Sequence, residues 1–69
     1  MNEDILKGKW RQIKGEVKSR WGKLTDDDMD RVEGDAEKLI GRVQERYGYQ
    51  RDEAQREVDD FVRTHKDAI

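Results

Sequence analysis

The apolar residues in the first third of the chain recur every three or four positions. They are Leu6, Trp10, Ile13, Val17, Trp21 and Leu24. Steps of this size place side chains on one face of an α-helix, so the pattern predicts a first amphipathic helix over residues 4–21. The sequence contains no proline, and helix is therefore permitted throughout.

A typical helix start precedes the second apolar series. Thr25 can cap a helix, and the carboxylates of Asp26, Asp27 and Asp28 would lie at the positive end of its dipole. The apolar series that follows consists of Met29, Val32, Ala36, Leu39, Ile40, Val43 and Tyr47.

A break near Glu33 and Gly34 divides that series, which predicts a short helix over residues 26–32 and a longer one over 35–47. A last helix is expected over residues 51–65, with Ala54, Val58 and Phe61 on its apolar face. The sequence thus predicts an all-α fold, a small four-helix domain that occupies residues 1–69. Its predicted core consists of Leu6, Trp10, Ile13, Val17, Trp21, Leu24, Met29, Val32, Ala36, Leu39, Ile40, Val43, Tyr47, Ala54, Val58 and Phe61.

The glycines reveal an internal duplication. All six fall in two triplets with steps of seven residues, Gly8, Gly15 and Gly22 followed by Gly34, Gly41 and Gly48. At the same offset of 26 residues the sequence aligns Ile13 with Leu39, Val17 with Val43, Arg20 with Arg46 and Trp21 with Tyr47. Two copies of one supersecondary unit are too few for a solenoid, so we expect a single domain with a pseudo-twofold relation.

The duplicated glycines have two expected roles. Gly22 and Gly48 follow the predicted helices and are expected to be left-handed C-caps. The earlier glycines fall opposite the apolar stripe, where each costs a helix about 1 kcal/mol relative to alanine. Either another helix or a partner approaches the backbone closely there, or the protein does not need a rigid, very stable fold, and the sequence leaves both explanations open.

Composition limits the size and stability of the domain. The chain has 69 residues, of which 32% are hydrophobic and 46% charged, with a net charge of -2. A domain of this size hides only about 60% of its unfolded surface, so we expect a folded domain of a few kcal/mol stability. Cysteine is absent, which excludes disulfides and thiolate chemistry. The N-terminus has no apolar run, and we expect a cytoplasmic protein without a signal peptide.

Residues suited to catalysis are scarce. His65 is the single histidine and Ser19 the single serine, and no triad can be built around a histidine near the chain end. We expect His65 to be a solvated surface side chain. We predict no catalytic, cofactor-binding or metal-binding residues, and no cofactor.

One acidic cluster resembles the beginning of a calcium-binding loop. Asp26, Asp28, Asp30 and Glu37 fall at loop positions one, three, five and twelve. Position six requires glycine for a sharp turn, but Arg31 stands there, and the helical periodicity continues through the segment. We therefore interpret these carboxylates as helix-start electrostatics.

A basic flank of the first predicted helix is the candidate binding surface. It consists of Lys7, Arg11, Lys14 and Lys18, which follow one another at helical spacing beside the apolar stripe. Such a face can bind an anion, a nucleic acid or a membrane surface. The alternative is a solvated face whose long side chains cover the core edge. The isoelectric point of about 5.4 favours this alternative.

Three stretches of the sequence resemble a known family. Residues 8–15 read GKWRQIKG and residues 21–28 read WGKLTDDD, with LIGRVQERYGY at residues 39–49. These motifs are similar to the CsbD-like family of small bacterial general stress proteins, in particular to its YjbJ-like branch, over residues 3–63. The resemblance implies two helical hairpins packed crosswise, similar to the SAM-like fold. It also implies a cytoplasmic stress-response protein without an established activity, ligand or catalytic residue.

Three functional hypotheses remain open from the sequence. The first is a non-enzymatic hydrophilic protectant, which the high charge and low apolar content favour. The second is a module that binds nucleic acid or a membrane surface through the basic flank. The third is protein–protein interaction or self-association through the glycine faces. We expect a monomer without a small-molecule substrate; the sequence does not identify a partner.

Overall fold

Five α-helices make up the part of the chain that the structure describes. The structure is a computed structural model that describes residues 3–67, with side chains described for residues 6–65. The helices are α1 (Glu3–Gly8), α2 (Trp10–Arg20), α3 (Asp26–Val32), α4 (Ala36–Tyr47) and α5 (Arg51–Asp67). Residues 3–67 contain no β-strand, so the fold is all-α.

The prediction of a single first helix over residues 4–21 is wrong, because the helix breaks at Lys9. The backbone there has φ -113° and ψ 13°, outside the helical region, and its carbonyl accepts the N–H groups of Gln12 and Ile13 at 2.9 Å to begin α2. Gly8 precedes the break, and glycine lowers the cost of leaving a helix. The apolar spacing gives no sign of the break, which lies beside a tertiary contact with Gly34.

Gly34 lies in the turn between α3 and α4, where it is buried against the junction of α1 and α2. Its φ is +82°, and a Cβ atom there would lie 2.8 Å from Lys7 Cα, 3.3 Å from the Leu6 carbonyl oxygen and 3.3 Å from Trp10 Cβ. The close approach that the sequence left open therefore occurs at this glycine. Gly8, Gly15 and Gly41 face open space.

Local sequence signals explain how α3 begins and how α4 is separated from it. The Thr25 hydroxyl accepts the Asp28 N–H at 3.1 Å, and the Asp28 carboxylate accepts the Thr25 N–H at 2.9 Å. This reciprocal capping box satisfies donors that a helix start leaves open. After α3, Glu33 adopts a left-handed conformation with φ 45°, and Asp35 caps α4 by accepting the Lys38 N–H.

The two copies of the repeat end differently. Gly48 is a left-handed C-cap of α4, with φ 73°. The same expectation for Gly22 is wrong, because Trp21 caps α2 with φ -117° and Gly22 does not have positive φ. The Trp21 side chain is only 1% exposed, and its carbonyl accepts the Leu24 N–H at 3.0 Å. The chain thus turns around a buried indole, and no left-handed residue is needed.

The core is formed by apolar side chains from all five helices and from the α2–α3 turn. Trp10 and Tyr47, expected in the core, are partly buried and pack against its edge, whereas Val62 is an additional member. Helix α4 packs against α1, α3 and α5. The buried apolar residues are Leu6, Ile13, Val17, Trp21, Leu24, Met29, Val32, Ala36, Leu39, Ile40, Val43, Ala54, Val58, Phe61 and Val62.

The dimensions match those of a folded domain despite the high charge. The Cα radius of gyration is 10.7 Å, and the expectation for a compact chain of this length is about 11 Å. None of the helices in the described part is long and apolar enough to cross a lipid bilayer.

Replacement of individual glycines by alanine tests the contact between Gly34 and the α1–α2 junction. Gly34→Ala combines a left-handed conformation with a clash against Lys7 Cα, and we expect it to lower the free energy of unfolding by about 2–3 kcal/mol. Urea unfolding followed by far-ultraviolet circular dichroism measures the change.

Two further glycines provide matched controls. Gly48→Ala carries the left-handed strain without a clash and should cost about 1 kcal/mol. Gly41→Ala carries neither and should stabilise α4 by about 1 kcal/mol. If Gly34→Ala were no more destabilising than Gly48→Ala, the close approach of α1 would be contradicted.

Candidate functional site

Asp28 is the only buried charged side chain among residues 6–65. Its carboxylate is 0% exposed. The Arg46 guanidinium donates to both of its oxygens, from Nε at 2.9 Å and from a terminal nitrogen at 3.1 Å. A terminal nitrogen of Arg42 lies 3.7 Å from the same carboxylate, which also accepts the Thr25 N–H. The start of α3 is thereby joined to the last turns of α4.

This environment stabilises the ionised form of Asp28. The hydrogen bonds from Arg46 are the largest effect, and they hold the pKa of Asp28 at about 2, below the usual 3.8. Burial acts in the opposite direction, and the hydrogen bonds from Thr25 add to the lowering. A carboxylate this strongly ionised, with its oxygens occupied by donors, is suited to holding helices together and not to transferring protons.

The first copy of the repeat has a related but weaker contact. Arg20, the counterpart of Arg46, ends α2 with a terminal nitrogen 4.0 Å from the Glu57 carboxylate of α5. The Trp21 indole N–H donates to that carboxylate at 2.9 Å. In both copies, an arginine near the end of the duplicated helix, α2 or α4, thus faces a carboxylate from another helix.

His65 lies at the surface with 22% of its side chain exposed, but it contacts two helices and is not freely solvated as expected. The ring stacks on Phe61 with centroids 4.0 Å apart, and its Nδ1 lies 2.9 Å from the Phe61 carbonyl oxygen. Its Nε2 contacts the Glu16 carboxylate of α2. Since both ring nitrogens face oxygen acceptors, only the protonated ring donates to both.

A groove of about 340 Å³ runs between α2 and α5 beside this contact. Ser19 and His65 both line it. The two ring nitrogens of His65 are directed to Phe61 and Glu16, so neither is positioned as a base for Ser19. The arrangement ties α5 to α2.

The predicted basic flank is divided by the break in the first helix. Lys7 belongs to the last turn of α1, while Arg11, Lys14 and Lys18 lie on α2, and all four side chains are exposed. Lys18 donates to the carboxylate of Asp26 at 2.5 Å, and this hydrogen bond is the main cause that lowers the pKa of Asp26. The flank therefore supplies one of its charges to a contact with α3.

The acidic cluster that resembles a calcium loop forms helix contacts. Asp26 begins α3 and pairs with Lys18, and Asp28 faces Arg46. Asp30 and Glu37 belong to α3 and α4. Over residues 6–65, no three histidine or acidic side chains are grouped so that they could hold a metal ion.

Two contacts were missed at the level of sequence, those of Asp28 with Arg46 and of His65 with Glu16. The pattern of Thr25 followed three residues later by an acid indicates a capping box, and this signal marks Asp28 as a cap. No local signal identifies its arginine partner. Glu16 and His65 are 49 residues apart, and the sequence has no pattern that joins them.

Comparison with known proteins gives one consistent result. A CsbD-like family profile matches residues 4–56. The UPF0337 protein YjbJ of Escherichia coli O6:H1 is 55% identical over 65 residues, which cover 94% of each chain. The YjbJ protein of Escherichia coli K12 is 57% identical over 61 residues, 88% of each chain. A UPF0337 protein of Pseudomonas aeruginosa is 54% identical over 61 residues, 88% of this chain and 94% of its own. No solved structure matches significantly.

Removal of the Asp28 charge tests the contact that joins α3 to α4. We expect Asp28→Asn to lower the free energy of unfolding at neutral pH by roughly 2–3 kcal/mol, because Arg46 loses its buried partner. Asp27→Asn is the matched control. Asp27 pairs with Arg31 at 2.8 Å, but the two side chains are 70% and 62% exposed, and the change should cost less than about 1 kcal/mol.

The pH dependence of this difference follows from the lowered pKa of Asp28. The ionised Asp28 carboxylate contributes fully to the free energy of unfolding above pH 4. This contribution is lost as the pH falls towards 2, since Asp28 binds a proton less readily in the folded protein than in the unfolded chain. The free energies of unfolding of wild type and Asp28→Asn should therefore converge by roughly 2 kcal/mol over this interval. A difference that stays constant from neutral pH to pH 2 would contradict the assignment.

Proposed function

We propose that this chain, which belongs to the CsbD-like family, is a non-enzymatic stress-response protein that acts in the cytoplasm as a hydrophilic protectant. The observation that carries the proposal is the distribution of charge. Charged residues make up 46% of the chain, and Asp28 is the only one of the charged side chains among residues 6–65 that is buried. The surface is therefore dominated by strongly hydrated groups.

Local pairing of opposite charges supports this role. Exposed contacts such as Lys18 with Asp26, Arg31 with Asp27 and Arg51 with Glu37 join neighbouring helices or successive turns. The 15 basic and 17 acidic side chains of the chain give a net charge of only -2. A hydrated surface of mixed sign can separate aggregation-prone proteins by excluded volume without binding any of them strongly.

We also propose that the helices are arranged in two hairpins. The family resemblance implies two helical hairpins packed crosswise, as in SAM-like folds. The packing of α4 against α5 supports the second of these hairpins. In this proposal α1 and α2 together take the place of the expected first helix.

A freeze–thaw assay on a labile enzyme tests the protectant function. The protein should preserve more enzyme activity than an equal mass of an unrelated small acidic protein. Protection should also be compared between Asp27→Asn, which keeps the fold, and Asp28→Asn, which weakens it. The proposal would be contradicted if wild type, Asp27→Asn and Asp28→Asn all preserved no more enzyme activity than the unrelated protein.

A second candidate function is electrostatic binding of a nucleic acid or an anionic membrane through the basic flank. Lys7, Arg11 and Lys14 are exposed, and no ion pair with another described side chain occupies them. One exposed cation on α1 and two on α2 could contact the phosphates of a nucleic acid or a membrane surface.

Binding to DNA, RNA and anionic vesicles at two salt concentrations tests this candidate. The double variant Arg11→Gln with Lys14→Gln should bind more weakly and should reduce the salt dependence of log K by about 2 for nucleic acid. The double variant Arg56→Gln with Arg63→Gln on α5 is matched in charge and should bind like wild type. Absence of binding at low salt would eliminate the candidate.

A further inference from the structure

A basic groove lies between α3 and α4, on a part of the surface that the sequence did not single out. It has a volume of about 440 Å³ and is lined by Arg31, Lys38, Gly41, Arg42 and Glu45. We propose that this groove binds the phosphate group of a small soluble ligand. The proposal is independent of the protectant function.

Three basic side chains and one carboxylate line the groove. Asp27 and Asp28 contact Arg31 and Arg42 from outside the lining, and Lys38 has no ion pair among the described side chains. A concavity lined mainly by basic side chains attracts anions. The volume is within the range of small-molecule sites, roughly 300–1,000 Å³.

The helix geometry explains why these side chains converge. Lys38, Gly41, Arg42 and Glu45 follow one another at intervals of three, one and three residues along α4 and share one face. Arg31 reaches the groove from the last turn of α3, which packs against α4. Gly41 has no side chain, and the space above its Cα is open, so a ligand can approach the helix backbone there.

The two arginines contact neighbouring carboxylates with only part of each guanidinium. Arg31 donates to Asp27 through Nε at 2.8 Å, and Arg42 donates to Glu45 through one terminal nitrogen at 3.3 Å and lies 3.7 Å from Asp28. Each keeps N–H groups that make no hydrogen bond to another described residue. Such N–H groups are suited to phosphate oxygens, which accept paired hydrogen bonds.

Lys38 supplies the third positive charge. Its backbone N–H is used by the Asp35 cap, but its ammonium group has no ion pair among the described side chains. An ammonium group binds phosphate as a point charge, without the directional demands of a guanidinium. The groove thus combines two guanidinium groups with one ammonium group.

Calorimetric titration with pyrophosphate at low salt tests the site, and amide shifts in nuclear magnetic resonance locate it. We expect wild type to bind pyrophosphate, with the largest shifts on α4 around Gly41. Gly41→Glu adds a carboxylate to the groove, and we expect it to weaken binding by at least tenfold, roughly the effect of one charge-assisted hydrogen bond. Lys38→Gln removes one positive charge from the groove, and we expect it to weaken binding by about tenfold.

The duplication provides the matched control. Gly15 is the counterpart of Gly41, lies in α2 and also faces open space. Gly15→Glu makes the same chemical change beside the basic flank and should leave pyrophosphate binding unchanged. Both variants replace an exposed helix glycine, and their helicity and thermal unfolding should show that the fold is kept.

Three outcomes would overturn the proposal. One is no binding of pyrophosphate at low salt. Another is equal weakening by Gly41→Glu and Gly15→Glu, which would indicate non-specific attraction. The last is binding only to vesicles that contain phosphatidic acid and not to pyrophosphate, which would assign the phosphate recognition to a lipid surface.

Discussion

The burial of one carboxylate constrains the rest of this small fold. Asp28 lies at the start of α3 without solvent exposure, and a buried charge is costly unless donors and an opposite charge surround it. The fork of Arg46 and the N–H of Thr25 meet that requirement. They fix α3 against α4, and α4 in turn packs against α1 and α5. A thin apolar core can therefore close in a chain that has no cysteine and few hydrophobic residues.

The duplicated copies keep a common plan but have diverged where they contact each other. Gly41 and Gly15 occupy equivalent open positions on α4 and α2. Gly34 instead lies in close contact with the backbone of the α1–α2 junction, and its counterpart Gly8 makes no such contact. Gly48 ends α4 in a left-handed conformation, whereas α2 ends at the buried Trp21. The divergence allows one copy to pack over the other.

Sequence periodicity predicts those features of the fold that depend on neighbouring residues. It indicates the helical stretches, the start of α3 at Thr25 and an interruption at Gly34, because spacing, capping and glycine act locally. It does not predict the break at Lys9, which interrupts a regular apolar series. It also does not predict the pairing of Asp28 with Arg46, 18 residues away. The exposure of the basic flank follows from polarity, but the groove between α3 and α4 requires the helix packing.

The account of the fold depends on the buried ion pair between Asp28 and Arg46. The measurement that tests this account most directly is a double-mutant cycle of Asp28→Asn and Arg46→Gln, with free energies of unfolding from urea titrations at neutral pH. The account predicts a coupling energy above roughly 1.5 kcal/mol between the two side chains. Effects of the two substitutions that add within about 0.5 kcal/mol would contradict it.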